Sequence, residues 1–155
     1  MNNELNFYKN FTPDLTPKKM LELGVFGGSY LGDTINEYPK LWFKSAKLSK
    51  TFDVNKNYFQ IKAGLSLKDW EKKGWIFEQD PRGWFQWYCR FTIGRRIPEV
   101  DKVQITRWKA FGPRHIGGIK KIAQKNFTAV GENKDKLCFN GHIIHFFNFK
   151  FKIFI

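Results

Sequence analysis

The chain has 155 residues, of which 42% are apolar and 18% aromatic, and its 27 Lys and Arg outnumber its 14 Asp and Glu. This length fits a single domain, and no apolar run approaches the roughly 18 residues that a membrane-spanning helix requires. Two cysteines exclude a disulfide framework, and the first residues lack the basic-then-apolar order of a secretory signal. We therefore expect an intracellular protein, either nuclear or cytoplasmic.

The formal net charge of the chain is +13 at pH 7. A surplus of this size repels itself in the folded state, and a polyanionic partner relieves that repulsion. Nucleic acid is the usual partner of such proteins, and an acidic membrane surface is the second. The charge therefore favours contact with nucleic acid, either DNA or RNA.

The first helix signal is Thr16, an N-cap residue that precedes Pro17 at the first helical position. Gly24 ends the apolar run that follows and opens a glycine-rich stretch, residues 24–32. These glycines match neither the dinucleotide-binding fingerprint nor the P-loop, so they predict turns with positive φ rather than a nucleotide site. We expect no cofactor.

Residues 38–49 predict a further helix that begins at Pro39. Three lysines recur along it at helical spacing and fall on one side: Lys40, Lys44 and Lys47. We expect Lys40 and Lys44 to be outlying phosphate contacts, together with Lys102 and Lys109.

The next helix signal is a capping box in which Ser66 is the N-cap and Asp69 replaces the usual Glu. Leu65 and Trp70 stand at the positions of a hydrophobic staple, and Gly74 closes this short helix. Because Trp75 follows that glycine and precedes a polar corner, it is the tryptophan that we most expect to be exposed.

The most informative stretch of the chain is residues 80–96. Asp80 and Pro81 predict the start of a helix by an N-cap and a proline, and Gly94 predicts its end. Aromatic side chains cover most of this helix, so it should be largely buried. One polar stripe remains at i, i+4 and i+8, formed by Arg82, Gln86 and Arg90.

Pro98 opens another predicted helix, which breaks near residues 112–113. With the preceding helix it forms a helix-turn-helix-like unit that has Arg95 and Arg96 at its corner. We define the arginine face as five residues: Arg82, Arg90, Arg95, Arg96 and Arg107. Planar guanidinium groups suit bidentate contacts with phosphate, whereas lysine dominates elsewhere in the chain.

The leading hypothesis is a basic nucleic-acid-binding protein that contacts the phosphate backbone through this face. The predicted binding residues are Trp75, Arg82, Gln86, Arg90, Arg95, Arg96, Gln104, Arg107, Lys109 and Arg114. A structural alternative stays open, because arginines also stabilise helix C-termini and stack on aromatic rings without any ligand.

Two functions from other classes also stay open. An enzyme of the glycosylase type would use Asp80 as acid or base, with Trp75 and Trp84 holding an extruded base. A structural subunit of a larger assembly would use residues 143–155, which alternate with period two, to complete the sheet of a partner or of a second copy.

The fold class predicted for the chain is mainly α, a compact single domain of short helices and structured loops. Residues 1–125 form its helical core, residues 126–136 a linker, and residues 137–155 a tail with a candidate C-terminal β-strand. Cys138, His142 and His145 are of residue types that bind metal ions. The two histidines are three positions apart and would point to opposite faces of a strand, so no metal site is predicted.

Several motifs together resemble a family of small uncharacterised proteins. They lie at residues 24–30, 63–76, 80–96 and 104–108, and the resemblance covers about residues 12–116. It implies a shared fold but no particular activity, and it does not extend to the tail beyond about Phe127.

Overall fold

The computed structural model describes residues 7–58, 60, 66–110 and 113. The chain divides into two units, Met1–Gln104 and Ile105–Ile155, and most of the described residues belong to the first. The described part has no strand, only an isolated bridge between Phe77 and Asp80. The predicted mainly α class is therefore confirmed, whereas the linker and the C-terminal strand lie outside the described residues.

Most of the described α-helices are short, and the 3-10 turns lie between the first and the second of them. The described helices are α1 (Pro17–Glu22), α2 (Leu67–Lys72), α3 (Trp84–Thr92) and α4 (residues 98–110), with a helical turn at residues 7–9. The 3-10 turns span Val25–Gly28, Gly32–Glu37 and Lys40–Trp42.

Two helix starts follow their local signals. The Lys19 N–H donates to the Thr16 hydroxyl over 3.3 Å, so Thr16 caps α1 as predicted. At α2 the Ser66 hydroxyl accepts from the Asp69 N–H, and the Asp69 carboxylate accepts from the Ser66 N–H, each over 3.2 Å. The Ser66 hydroxyl also donates to the Asp69 carboxylate over 2.6 Å, and this bond together with the one from the Ser66 N–H lowers the pKa of the Asp69 carboxyl. The predicted capping box is confirmed.

The glycine-rich stretch adopts the predicted backbone. Gly24, Gly27 and Gly28 have φ values of +69°, +62° and +80°, a region that side chains disfavour. A Cβ atom at Gly24 would overlap the carbonyl oxygen of Lys56, and one at Gly28 would overlap that of Lys47. Glycine is therefore required here for close backbone approach as well as for the turn.

Gly24 and Gly74 separate these two requirements, because their φ values are nearly equal, at +69° and +64°, but no heavy atom lies within 4 Å of a Cβ at Gly74. We expect Gly74→Ala to cost about 1 kcal/mol of unfolding free energy, from backbone strain. Gly24→Ala should cost about 2 kcal/mol more, because the backbone of Lys56 must move. Urea unfolding of both variants measures the difference, and equal losses would show that the contact carries no energy.

Residues 38–49 depart from their prediction. Only Lys40–Trp42 forms a 3-10 turn after Pro39. Beyond it the Lys47 N–H donates to the Leu21 carbonyl over 3.1 Å, and the Ser49 N–H donates to the Gly28 carbonyl over 3.0 Å. The predicted longer helix is wrong, because these amides bond to distant carbonyls instead of their own preceding turn.

Helix α3 is the centre of the core. Trp87 and Cys89 have no exposed surface, and Phe85 is 1% exposed. The ring of Phe11 lies 5.4 Å from that of Trp87 and 5.3 Å from that of Phe91, measured between centroids. Burial raises the pKa of the Cys89 thiol, which packs in the core as a small apolar side chain.

Candidate nucleic-acid interface

The start of α3 differs from its prediction. The helix begins at Trp84 with Gly83 as its N-cap, and Gly83 adopts φ 90° and ψ −157°, a conformation that only glycine tolerates. Asp80 and Arg82 therefore belong to a turn before the helix, and the predicted N-cap role of Asp80 is wrong. The physical reason is that the Asp80 carboxylate has stronger donors than backbone amides.

Those donors are two guanidinium groups. Arg90 Nη1 lies 3.2 Å from Asp80 Oδ1, and Arg95 Nη2 lies 2.5 Å from Asp80 Oδ2. The Asp80 side chain is fully buried, and the side chains of Arg90 and Arg95 are 20% and 24% exposed. Charge-assisted bonds of this kind are among the strongest that a side chain can make. Asp80 is thus the buried anchor of two arginines, and its carboxylate does not face solvent.

Arg90 also reaches the 3-10 turn that ends at Glu37. Its Nε and Nη2 donate to Glu37 Oε2 over 2.8 and 2.6 Å, and its Nη1 donates to the Gln79 carbonyl over 2.5 Å. Burial opposes the charged form of Arg90, but the bonds and charge of Glu37 and the bond to Asp80 outweigh it and raise its pKa. Every nitrogen of this guanidinium therefore has an acceptor.

Arg82 is held in the same way at the other end of that 3-10 turn. Its Nη1 donates to the Tyr30 carbonyl over 2.8 Å, and its Nη2 contacts the Asp33 carboxylate. In return, the Tyr30 hydroxyl donates to the Arg82 carbonyl. Burial raises the pKa of the Tyr30 hydroxyl, so it stays a donor at neutral pH.

At the corner between α3 and α4 the two arginines separate. Arg95 turns inward to Asp80, whereas Arg96 is exposed. The Arg96 guanidinium lies 3.7 Å from the centroid of the Phe91 ring, and its Nη1 donates to the Phe91 carbonyl over 2.6 Å. It thus stacks on an aromatic ring and bonds to a carbonyl at the C-terminus of α3, as the structural alternative predicted.

The glutamines of the predicted interface lie inside the fold. Gln86 is 1% exposed, and its Oε1 accepts the Arg82 N–H over 2.9 Å. The continuous polar stripe predicted for this helix is therefore wrong at its central position. Gln104 has no exposed surface, and its backbone carbonyl accepts a hydrogen bond from Trp84 Nε1 over 3.2 Å. Neither side chain faces solvent where a base edge could reach it.

The remaining predicted residues differ in exposure. Trp75 is 43% exposed, as expected, and Lys73 Nζ lies 5.2 Å from the centroid of its ring. Arg107 is half-buried, and burial lowers the pKa of its guanidinium. Lys109 is exposed, and Arg114 lies outside the described residues.

Sequence reasoning missed the acidic partners Asp33, Glu37 and Asp101. Asp101 is 1% exposed and accepts from Trp87 Nε1 over 2.8 Å and from the Ile97 N–H over 3.0 Å. The bond from Ile97 is local, across four positions at the start of α4, where acidic side chains are favoured. Asp33 and Glu37 had no local signal, because their arginine partners lie 49 and 53 positions away.

None of the helices that the structure describes combines the length and apolar composition needed to cross a lipid bilayer. No protein-family model matches the chain, and comparisons with curated proteins and with solved structures find no match.

Proposed function

We propose that the protein binds nucleic acid through the phosphate backbone, with little reading of base sequence. The observation that carries this proposal is that carboxylates of the described part pair with arginines, while most of its lysines remain exposed at the surface. Asp33, Glu37 and Asp80 are each paired with an arginine, whereas most of the described lysines are exposed. An uncompensated surface charge of this kind attracts polyanions over distances close to the Debye length.

The distribution of charge along the chain adds to this argument. Residues 105–155 contain ten Lys or Arg and two Asp or Glu, so they supply +8 of the formal net charge of +13. A surplus concentrated in the last third of the sequence is typical of chains that use it for phosphate contacts.

Within the arginine face, the contribution to binding differs from residue to residue. For Arg82, Arg90 and Arg95, a phosphate would have to displace Asp33, Glu37 or Asp80. Arg96 is exposed, and Trp75 offers an aromatic surface beside Lys73. We therefore assign phosphate contact in the described part to Arg96 and to the exposed lysines outside α1, and base stacking to Trp75.

The test is a fluorescence anisotropy titration with labelled single-stranded and duplex oligonucleotides between about 50 and 200 mM salt. We expect the logarithm of affinity to fall linearly with the logarithm of salt concentration, by about 0.9 per phosphate neutralised in a duplex. Trp75→Ala should weaken single-strand binding by about 1–3 kcal/mol and leave duplex binding unchanged. Absence of binding, or binding without a salt slope, would refute the proposed function.

A further inference from the structure

The most basic exposed stretch of the described part is residues 38–52, here called the lysine segment. It contains no Asp or Glu and four lysines, all of them exposed: Lys40, Lys44, Lys47 and Lys50. Within the described residues, none of these lysines forms an ion pair. By contrast, Lys18 and Lys19 on α1 share the carboxylate of Glu22.

The acidic residues that flank the lysine segment are turned to other partners. Glu37 accepts two bonds from Arg90, and Asp53 Oδ1 accepts the Asn55 N–H over 2.9 Å. Among the described residues, neither carboxylate forms an ion pair with the four ammonium groups between them. Arg90 thus engages the carboxylate of Glu37, which lies three positions before Lys40 in the chain.

The backbone of the lysine segment is held in place before any ligand binds. The Lys47 and Ser49 amides donate to the Leu21 and Gly28 carbonyls, and the Lys56 ammonium contacts the Leu48 carbonyl. A surface with a fixed backbone loses less conformational entropy on binding than a flexible basic tail.

Aromatic and apolar side chains lie among these lysines. The rings of Tyr38 and Trp42 stack with centroids 5.9 Å apart and an interplanar angle of 9°, and Tyr38 is buried. Leu41 and Phe52 are 63% and 42% exposed. Exposed apolar groups beside ammonium groups can contact sugars and bases while the lysines contact phosphates.

We propose that the lysine segment is the main phosphate-binding surface of the described part, and that its ligand is the backbone of a nucleic acid. This inference rests on the proposed function. An anionic membrane is the alternative that the test separates; helices that insert at an interface present a large apolar face. The only helical turn in this segment has three residues, Lys40–Trp42.

The test replaces Lys40, Lys44, Lys47 and Lys50 by glutamine in the full chain and repeats the salt titration. Four lost phosphate contacts should reduce the magnitude of the slope by about 3.6 for a duplex and about 2.8 for a single strand. The matched control is Lys18→Gln/Lys19→Gln, which also removes exposed positive charge but from lysines already paired with Glu22. We expect the control to keep the slope of the original protein, and circular dichroism to show both variants folded.

Each result has a distinct meaning. If the unmodified protein fails to bind either oligonucleotide, the proposed function is wrong and this inference falls with it. If it binds but the fourfold variant keeps its slope, only the inference is wrong, and phosphate contact lies elsewhere. If the control and the fourfold variant lose the same amount of slope per charge removed, the effect depends on net charge alone and the inference is wrong.

Sedimentation with phosphatidylserine vesicles tests the membrane alternative. If the fourfold variant loses vesicle binding but not oligonucleotide binding, the ligand is a membrane.

Discussion

Replacing Asp80 by asparagine is expected to lower the free energy of unfolding by about 3–5 kcal/mol. The side chain keeps its size but loses the charge that Arg90 and Arg95 share inside the fold. Two largely buried guanidinium groups then lack their common counter-ion, and the amide nitrogen of asparagine adds a donor where an acceptor is needed. Urea unfolding followed by tryptophan fluorescence measures the loss.

Asp33→Asn is the matched control, because Asp33 also pairs with an arginine, Arg82, but its side chain is 83% exposed. Exposed ion pairs contribute about 0–1 kcal/mol, so this variant should remain close to the original protein in stability. Equal losses in the two variants would mean that the burial of Asp80 has no energetic consequence.

The same comparison bears on the enzyme alternative. A general acid or base must come within hydrogen-bond reach of its substrate, and the Asp80 carboxylate is buried between two guanidinium groups. We therefore expect Asp80→Asn to act on stability. An Asp80→Asn protein with unchanged stability and a lost activity on nucleic acid would instead support catalysis by Asp80.

Trp87→Ala is the second variant for which we expect a large effect, a loss of about 3–5 kcal/mol in unfolding free energy. The Trp87 ring has no exposed surface, and its centroid lies 5.1 Å from that of Phe91 and 5.3 Å from that of Trp84. Its removal leaves a cavity and also deprives Asp101 of the Nε1–H donor at 2.8 Å. Thermal and urea unfolding would measure the loss.

Two further variants divide this loss into its parts. Trp87→Phe keeps most of the ring but removes the donor to Asp101, and should cost about 1–3 kcal/mol. Trp75→Ala removes a tryptophan that is 43% exposed and should cost at most about 1 kcal/mol. If Trp75→Ala destabilised the protein as much as Trp87→Ala, the core would not be centred on α3.

Signals that act within a few residues could be predicted from the sequence. Thr16 caps α1 and Ser66 pairs with Asp69 at α2, since each donor lies three positions from its acceptor. The positive φ values at Gly24, Gly27 and Gly28 were predictable for the same reason, because conformational freedom belongs to the residue itself.

Interactions between distant positions could not be predicted in this way. Asp80 followed by proline matches the sequence pattern of an N-cap. Its carboxylate instead accepts hydrogen bonds from Arg90 and Arg95, which lie ten and fifteen positions later. Helical spacing predicted that Gln86 lies on a solvent-exposed polar stripe, but the fold buries it against the turn that contains Arg82. The helix predicted for residues 38–49 does not form, because the Lys47 and Ser49 amides bond to the distant carbonyls of Leu21 and Gly28.

By itself, the sequence determined the helical class of the protein, the caps of α1 and α2, the aromatic character of its core and its surplus of positive charge. Only the tertiary structure decided which cations are used internally, because Asp33 and Glu37 reach Arg82 and Arg90 across about fifty positions of chain. A charge can be buried only where an opposite charge and hydrogen-bonding groups meet it. Arg82, Arg90 and Arg95 have such partners and are partly buried, whereas most of the described lysines are exposed.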